Sequence, residues 1–341
     1  MEPYNPLAEA LYTHREGSLE PFLMRSRQAM GTRFTVYLYD TEAEREHEVF
    51  QAVFEEIERI EKTFSRFLAS SEIVRINDEA SQGPVVTDPE VFNLLVFAKE
   101  LSEKTEGAFD ITIGRLSRAW GFAERRPAIP SPDTLRAAEA AVGWRHLNLD
   151  VNWRTVEFLE SGMELDLGAI AKGYAVDRAL DLLRTLGIEA MIDAGSSSIA
   201  ANGEYFSQRW PIGVADPVRV GESLGEVFLG NRALSTSGIR EQSFTADGRV
   251  YSHLLNPISP LSHRSAEDSE APQVMQTSIL APDSALADGL STAMFILGPR
   301  RGEAVMEQFP ACSVLWILSG CAGLSCSGIR WPATQQIIEE R

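Results

Sequence analysis

The chain has 341 residues, enough for one elaborated domain or two intimately joined ones, and its 44% hydrophobic and 23% charged content excludes wholesale disorder. Its 31 Lys and Arg against 49 Asp and Glu leave a net charge of −18, which argues against nucleic acid and anionic membrane surfaces as partners. A chain so acidic that handled a phosphorylated ligand would screen its own field with a divalent cation held by carboxylates.

Residues 1–24 read as a polar N-terminal arm and residues 25–341 as the folded domain. The start has no basic n-region, long apolar run or small-residue cleavage site, so it does not read as a secretory signal. FTVYLY (34–39) reads as a strand. In the run from 49 to 64, Phe50, Val53, Phe54, Ile57 and Ile60 recur at helical spacing and leave a glutamate-rich opposite face. A second helix is predicted over 89–105, with Asp88 as N-cap, Pro89 at its first position and a stop near Gly107.

AFDITIG (108–114) reads as a short β-prone run. A Pro-rich loop then feeds a short helix beginning near Asp133, and 145–160 reads as a hairpin turning at Asp150 to Trp153. The segment 163–195 reads as strand, glycine turn, long helix ended by Gly187 and a second apolar strand. WPIGVADP, GEVFLG, ALSTSG and RVYSHLLNP are predicted short strands, 262–273 a polar mobile loop, QTSILAP a strand, ALADGLSTAMFILG and RRGEAVMEQF helices, and CSVLWIL a final core strand. Strands at hairpin distance, without βαβ alternation, predict an α+β fold with a mixed or antiparallel sheet.

No stretch reaches the roughly 18 apolar residues of a membrane span. Three cysteines, Cys312, Cys321 and Cys326, lack metal-site spacing, leave a Cys321 to Cys326 pairing open and make a reducing cytoplasm the default.

Four segments place polar residues beside glycines in otherwise apolar runs, where a backbone can approach a ligand. In ELDLGAIAKGYAVD, Asp166 ends the strand, Gly168 opens a turn, and the helix from about Ala169 presents N–H groups suited to an anion; Asp166 as a plain helix cap is the other reading. In ALADGLSTAMFILG, Asp288 and Thr292 are spaced i, i+4, two hard oxygen donors on one face that suit magnesium; an N-cap aspartate with a back-bonded threonine is the bland counterpart. His253 sits among apolar residues before a Pro turn, as a structural histidine or as a neutral-pH base, with His263 in the polar loop a weaker candidate. In GAFDITIG, Asp110 either meets a ribose or adenine edge or forms a turn. The chain contains no GxxxxGK[ST], GxGxxG or HExxH pattern.

Taken together, these segments resemble the ApbE family of FAD:protein FMN transferases. The matching stretches are QAMGTRF (28–34), FSRFLASSEIVRIND (64–78), GAFDITIG (107–114), the W-G-F at Trp120, LDLGAIAKGYAVDRA (165–179), IDAG, ALSTSG, the S-H-x-x-N-P at Ser252 and ADGLSTAMFILGP. They keep the family's order from Gln28 to Pro299; GAIAKGYAVD and ADGLSTA are specific, QAMGT supportive.

The resemblance implies an ApbE-like architecture related to the T-fold, with mixed or antiparallel sheets packed against helices. It implies cleavage of FAD, the substrate, with transfer of FMN to a threonine or serine hydroxyl of a partner protein and release of AMP. Met30 and Phe67 would line the flavin or adenine pocket, and Ala108, Phe109 and Asp110 would contact the dinucleotide. Asp166 would bind it from the central motif and Lys172 from the following helix. Magnesium, or manganese in its place, would be held by the backbone carbonyl of Ala169 and the side chains of Asp288 and Thr292, with Ser291 adjacent. His253 would be the general base. The alternatives are a magnesium-dependent FAD pyrophosphatase and a non-catalytic flavin-binding protein; intact Asp166, His253, Asp288 and Thr292 argue against the last.

Two features depart from the family pattern. After IDAG this chain reads SSS (Ser196 to Ser198), where relatives commonly carry a second glycine and an acidic or amide residue, so a side-chain contact is lost while backbone donors survive. Many relatives are exported, often as lipoproteins, whereas this chain shows neither a signal nor a lipobox cysteine; a cytoplasmic location is expected, or a periplasmic one if a leader is missing.

Overall fold

The computed structural model describes residues 22–39, 45–124, 126–204, 209–239, 242–247, 249–259, 273–320 and 323–332. In chain order the elements are β1 (Phe22–Ala29), β2 (Thr32–Tyr39), α1 (Glu46–Phe64), α2 (Glu72–Glu79), β3 (Val85–Val86), α3 (Pro89–Lys104), α4 (Gly114–Ala119), α5 (Pro132–Glu139), β4 (Leu147–Asp150), β5 (Thr155–Phe158), α6 (Ala171–Thr185), β6 (Glu189–Ala194) and β7 (Ser198–Asn202). They continue with β8 (Trp210–Ala215), β9 (Ser223–Leu229), β10 (Arg232–Gly238), β11 (Ser243–Ala246), β12 (Arg249–Ser252), β13 (Gln273–Ala281), α7 (Ser284–Met306), β14 (Ser313–Gly320) and β15 (Gly323–Ile329).

The frame is an open eight-stranded sheet, ordered β1-β2-β6-β7-β10-β13-β14-β15, whose neighbours all pair antiparallel. Alternation along β2 assigns the faces: Phe34, Val36 and Leu38 join the helix-side core, while Tyr37 joins a second cluster with Trp210, Ile212, Val227 and Leu229 of the β8–β9 ribbon. The helix-side core is the larger and takes in apolar faces of α1, α3, α6 and α7. On α1 the predicted stripe is buried, with Val53, Ile57 and Ile60 fully enclosed, and each such side chain contributes roughly 1.5–3 kcal/mol.

Local signals set the helix starts. The Asp88 carboxylate accepts from the N–H groups of Glu90 and Val91 with Pro89 at the first position, and Ser71 and Ser131 cap α2 and α5 in the same way. α7 is two helical stretches joined at Gly298 (φ 65°) before Pro299, consistent with the two helices expected there.

Several local expectations are corrected. AFDITIG is not a strand: only Ile113 makes an isolated bridge, to Glu164, because Asp110 folds the run into a turn by accepting from the N–H and hydroxyl of Thr112. The strand expected to end at Asp166 is reduced to that bridge, and the following helix begins at Ala171, leaving Ala169 in the preceding turn. Strand β1 begins at Phe22, inside the stretch read as a polar arm. Strands β1, β3, β7, β11 and β15 are not among the predicted elements. Cys312 and Cys326 are free thiols, and the Cys321 to Cys326 pairing left open above falls on a residue outside the described ones. The polar loop lies outside the described residues except for Gln273, which starts β13; His263 and Cys321 also lie outside them. Among the described residues no helix is long and apolar enough to cross a membrane.

Candidate active site

One cavity of about 890 Å³ is lined by the β1–β2 turn, the end of α1 and the residues after it, the turns at 108–113 and 166–169, the start of α6, the β6–β7 loop, β10, the segment after β12, and α7. Met30, Phe67, Ala108, Phe109, Asp110, Asp166, Ala169, Lys172, His253, Asp288 and Thr292, all singled out in the sequence, line it together.

At the first edge, Met30 (φ 50°) and Gly31 (φ 75°) form a two-residue turn of the kind that matches strand twist, and the Met30 N–H donates to Glu61 Oε1 of α1 at 2.8 Å. Beyond α1, the Ser65 hydroxyl accepts from the N–H groups of Phe67 and Leu68, at 3.1 and 3.3 Å. Phe67 is left 70% exposed, an apolar ring face open to stacking.

Asp110 is spent on structure: Oδ1 serves Thr112 and Oδ2 accepts the Trp144 N–H at 2.9 Å. Burial pushes its carboxyl above the ordinary range, opposed by those hydrogen bonds.

Asp166 is also committed on both oxygens. Oδ1 accepts the Gly168 N–H at 2.9 Å, which shapes the turn carrying Ala169, and Oδ2 pairs with Arg66 Nη1. The Arg66 side chain is only 5% exposed, and its Nη2 has no hydrogen-bond partner among the described residues. Sequence reasoning missed Arg66, although it stands beside Phe67 in FSRF; a lone arginine gives no periodic signal, and its partner is 100 residues away.

Asp288 is 4% exposed. Its Oδ2 accepts the Gly173 N–H at 3.1 Å and lies 4.0 Å from Lys172 Nζ, and its Oδ1 lies 3.3 Å from Ser235 Oγ. Gly173 is required: a Cβ there would fall 2.2 Å from the Ser284 carbonyl oxygen and 2.9 Å from Ala285 Cα, so only glycine lets α6 touch the first turn of α7. One turn later, Asp177 accepts the N–H groups of Ser284 and Ala285 at 2.7 and 2.8 Å, and burial pushes its carboxyl up to about 7. Thr292 and Ser291 both reach Ser237 Oγ. Ser235 and Ser237 alternate along β10 and so face α7 together, a pattern legible in ALSTSG once the strand is assigned.

His253 follows β12. Its Nδ1 lies 3.1 Å from the Gln242 carbonyl oxygen, which can only accept, so Nδ1 carries the proton and Nε2 keeps its lone pair. Burial lowers its pKa; the Gln242 bond opposes this, the Lys172 charge adds to it and Asp166 opposes it. The ring is therefore neutral at pH 7. The β11–β12 hairpin is fixed by rings, with Tyr251 5.3 Å from Trp120 and 5.2 Å from Phe244, and Phe122 5.9 Å from Phe244.

At the serine departure, Ser196 takes φ 61° and donates its N–H to Asp193 Oδ1 at 2.6 Å, and Ser197 lines the cavity. Burial pushes the Asp193 carboxyl up to about 6.

Among the described residues no three His, Cys, Asp or Glu side chains are grouped to share a metal. The donors at hand are one carboxylate, one hydroxyl and one main-chain carbonyl. They fit an ion such as magnesium, which takes few protein oxygens and keeps water and phosphate oxygens in its other positions.

A profile of the ApbE family matches residues 30–316. The FAD:protein FMN transferase of Treponema pallidum is 31% identical over 309 residues, covering 86% of this chain and 83% of that protein. Among solved structures, the ApbE protein of Thermotoga maritima superposes with a TM-score of 0.81 at 29% identity, covering 91% of this chain and 97% of that one. The apo flavinyl transferase ApbE of Pseudomonas stutzeri gives 0.78 at 26% identity, covering 93% and 97%.

Proposed function

The chain belongs to the ApbE family, and from that premise we propose that it is an FAD:protein FMN transferase, cleaving the FAD pyrophosphate and attaching FMN to a threonine or serine hydroxyl of a partner protein. The observation that carries this reading is the convergence of eleven residues, a neutral histidine among them, from segments spread along most of the chain, on one cavity.

In this reading Nε2 of His253 takes the proton of the acceptor hydroxyl. The hydroxyl oxygen bonds to the phosphorus on the FMN side, the bridging P–O bond breaks, and AMP leaves with the bridging oxygen. General-base assistance of this kind is worth about 10²–10⁴-fold. Asp288, Thr292 and the Ala169 carbonyl would hold magnesium, which when bound supplies positive charge to offset that on the pyrophosphate oxygens. Lys172 adds a fixed cation beside Asp288. Phe67 offers its exposed face to an aromatic ring of the dinucleotide, and the Met30 turn closes the adjoining edge.

The test is incubation of purified protein with FAD and magnesium, with and without a co-expressed candidate acceptor, followed by intact-mass analysis. Transfer predicts one added FMN on an acceptor threonine or serine, with AMP release dependent on the acceptor. Rapid release of both FMN and AMP without acceptor would replace transfer by hydrolysis.

A further inference from the structure

Three hydroxyls behind the cavity form a chain whose direction the structure fixes. Ser291 Oγ donates to the main-chain carbonyl of Asp288 at 2.8 Å, and a carbonyl has no proton to return. The one proton of Ser291 is thereby spent, so in its 2.7 Å contact with Ser237 Oγ it accepts, and the Ser237 proton is spent in turn. In the 3.2 Å contact between Ser237 Oγ and Thr292 Oγ1, Thr292 is then the donor. The sequence Thr292 to Ser237 to Ser291 to Asp288 carbonyl runs one way, anchored at an acceptor-only end.

A hydroxyl has one proton and two lone pairs. With the Thr292 proton turned toward Ser237, its oxygen offers lone pairs to the cavity that both Thr292 and Ser237 line. We propose that Ser237 and Ser291 are positioning residues that set the polarity of the Thr292 hydroxyl, presenting it as an acceptor to a hard divalent cation. This rests on the reading of Thr292 as a cation ligand. All three groups are enclosed or half-enclosed, with Ser291 fully buried and Ser237 7% exposed, so water cannot freely replace a missing link. Ser235 Oγ lies 3.3 Å from Asp288 Oδ1, but its one proton is directed to the nearer Ser197 carbonyl at 2.8 Å, so the one-way chain concerns Thr292 alone. Outer-shell partners of metal ligands typically matter by 10–100-fold in metal affinity.

The experiment is Mn²⁺ titration of the full-length protein, read as loss of the free-ion electron paramagnetic resonance signal, for wild type, Ser237→Ala, Thr292→Ala and the double variant, with circular dichroism to check folding. The expected result is a 10–100-fold weaker Mn²⁺ affinity for Ser237→Ala in a folded protein, and no further loss when Ser237→Ala is added to Thr292→Ala. Additive losses in the double variant, or an unchanged affinity in Ser237→Ala, overturn the positioning role while leaving the cation site standing. A wild-type protein that leaves the Mn²⁺ signal untouched overturns the cation reading itself. Should Ser237→Ala unfold, Ser291→Ala tests the same chain from its other link.

Discussion

Along one wall of the cavity polar groups are held by polar groups; along the other the ribbon that carries a histidine is held by aromatic rings. The first wall stands on the eight-stranded sheet, where β10 hydroxyls, the Gly173 N–H and Asp177 lock α6 and α7 together. The second is the two-stranded β11–β12 ribbon, joined to the molecule through Trp120, Phe122, Phe244, Tyr251 and Leu255. Directional bonds fix distances to a few tenths of an ångström, whereas ring packing fixes a body while leaving it freer to adjust. The difference fits the reaction proposed above, in which the dinucleotide would be held at one wall and a second, larger substrate would approach His253 at the other.

The largest expected effect falls on the ribbon wall. His253→Ala should lower FMN transfer by about 10²–10⁴-fold with FAD binding preserved. Because burial holds the histidine below its ordinary 6.5, wild-type turnover should rise with pH through a value under 6.5 and then level, and the variant should lose that acid limb. A variant with unchanged turnover would remove the ribbon wall's chemical role.

Next comes the packing that holds the ribbon. Trp120→Ala removes a side chain only 3% exposed and should cost about 3–5 kcal/mol in urea unfolding, or less if the ribbon loosens alone. In the latter case turnover should fall more than FAD affinity; equal losses in both would show that the walls do not act independently.

Gly173→Ala attacks the other wall. Its Cβ would press on backbone of α7 that cannot swing aside, so the expected cost is about 1–3 kcal/mol together with weaker divalent-ion binding, since the N–H to Asp288 is displaced. Calorimetric unfolding with and without Mg²⁺ separates the two losses.

How that wall titrates is read from its pH dependence. Asp177 binds a proton in the fold up to about 7, against 3.8 for the unperturbed group, so its contribution to stability is full below about 4 and is lost as pH rises through 7. Asp177→Asn removes this dependence: the stability difference, wild type minus variant, should shrink with rising pH across that window, by at most about 1.4 kcal/mol per unit. A difference flat in pH would mean that Asp177 keeps its charge in the fold.

Much of the fold could be read locally. The apolar stripe of α1, the Asp88–Pro89 start of α3, the i, i+4 spacing of Asp288 and Thr292 and the hairpin turning after Asp150 all depend on residues within a few positions of one another. AFDITIG failed for an instructive reason. Phe109 and Ile111 are apolar because they are buried at 1% exposure, not because they lie in a sheet, and Asp110 bends the chain between them. Strand β15 (GLSCSGI) has few large apolar side chains and is defined by pairing with β14, so composition could not reveal it.

The residue types, their order along the chain and the helical phase of Asp288 and Thr292 were determined by the sequence itself, because periodicity and capping act over a few bonds. Tertiary structure alone decided that Arg66 occupies Asp166, that Gly173 meets Asp288 across 115 residues and that Ser291 and Thr292 both reach Ser237 of β10. Each of these depends on how close two distant backbones come, and that distance is set by side-chain packing between elements, which no local pattern encodes.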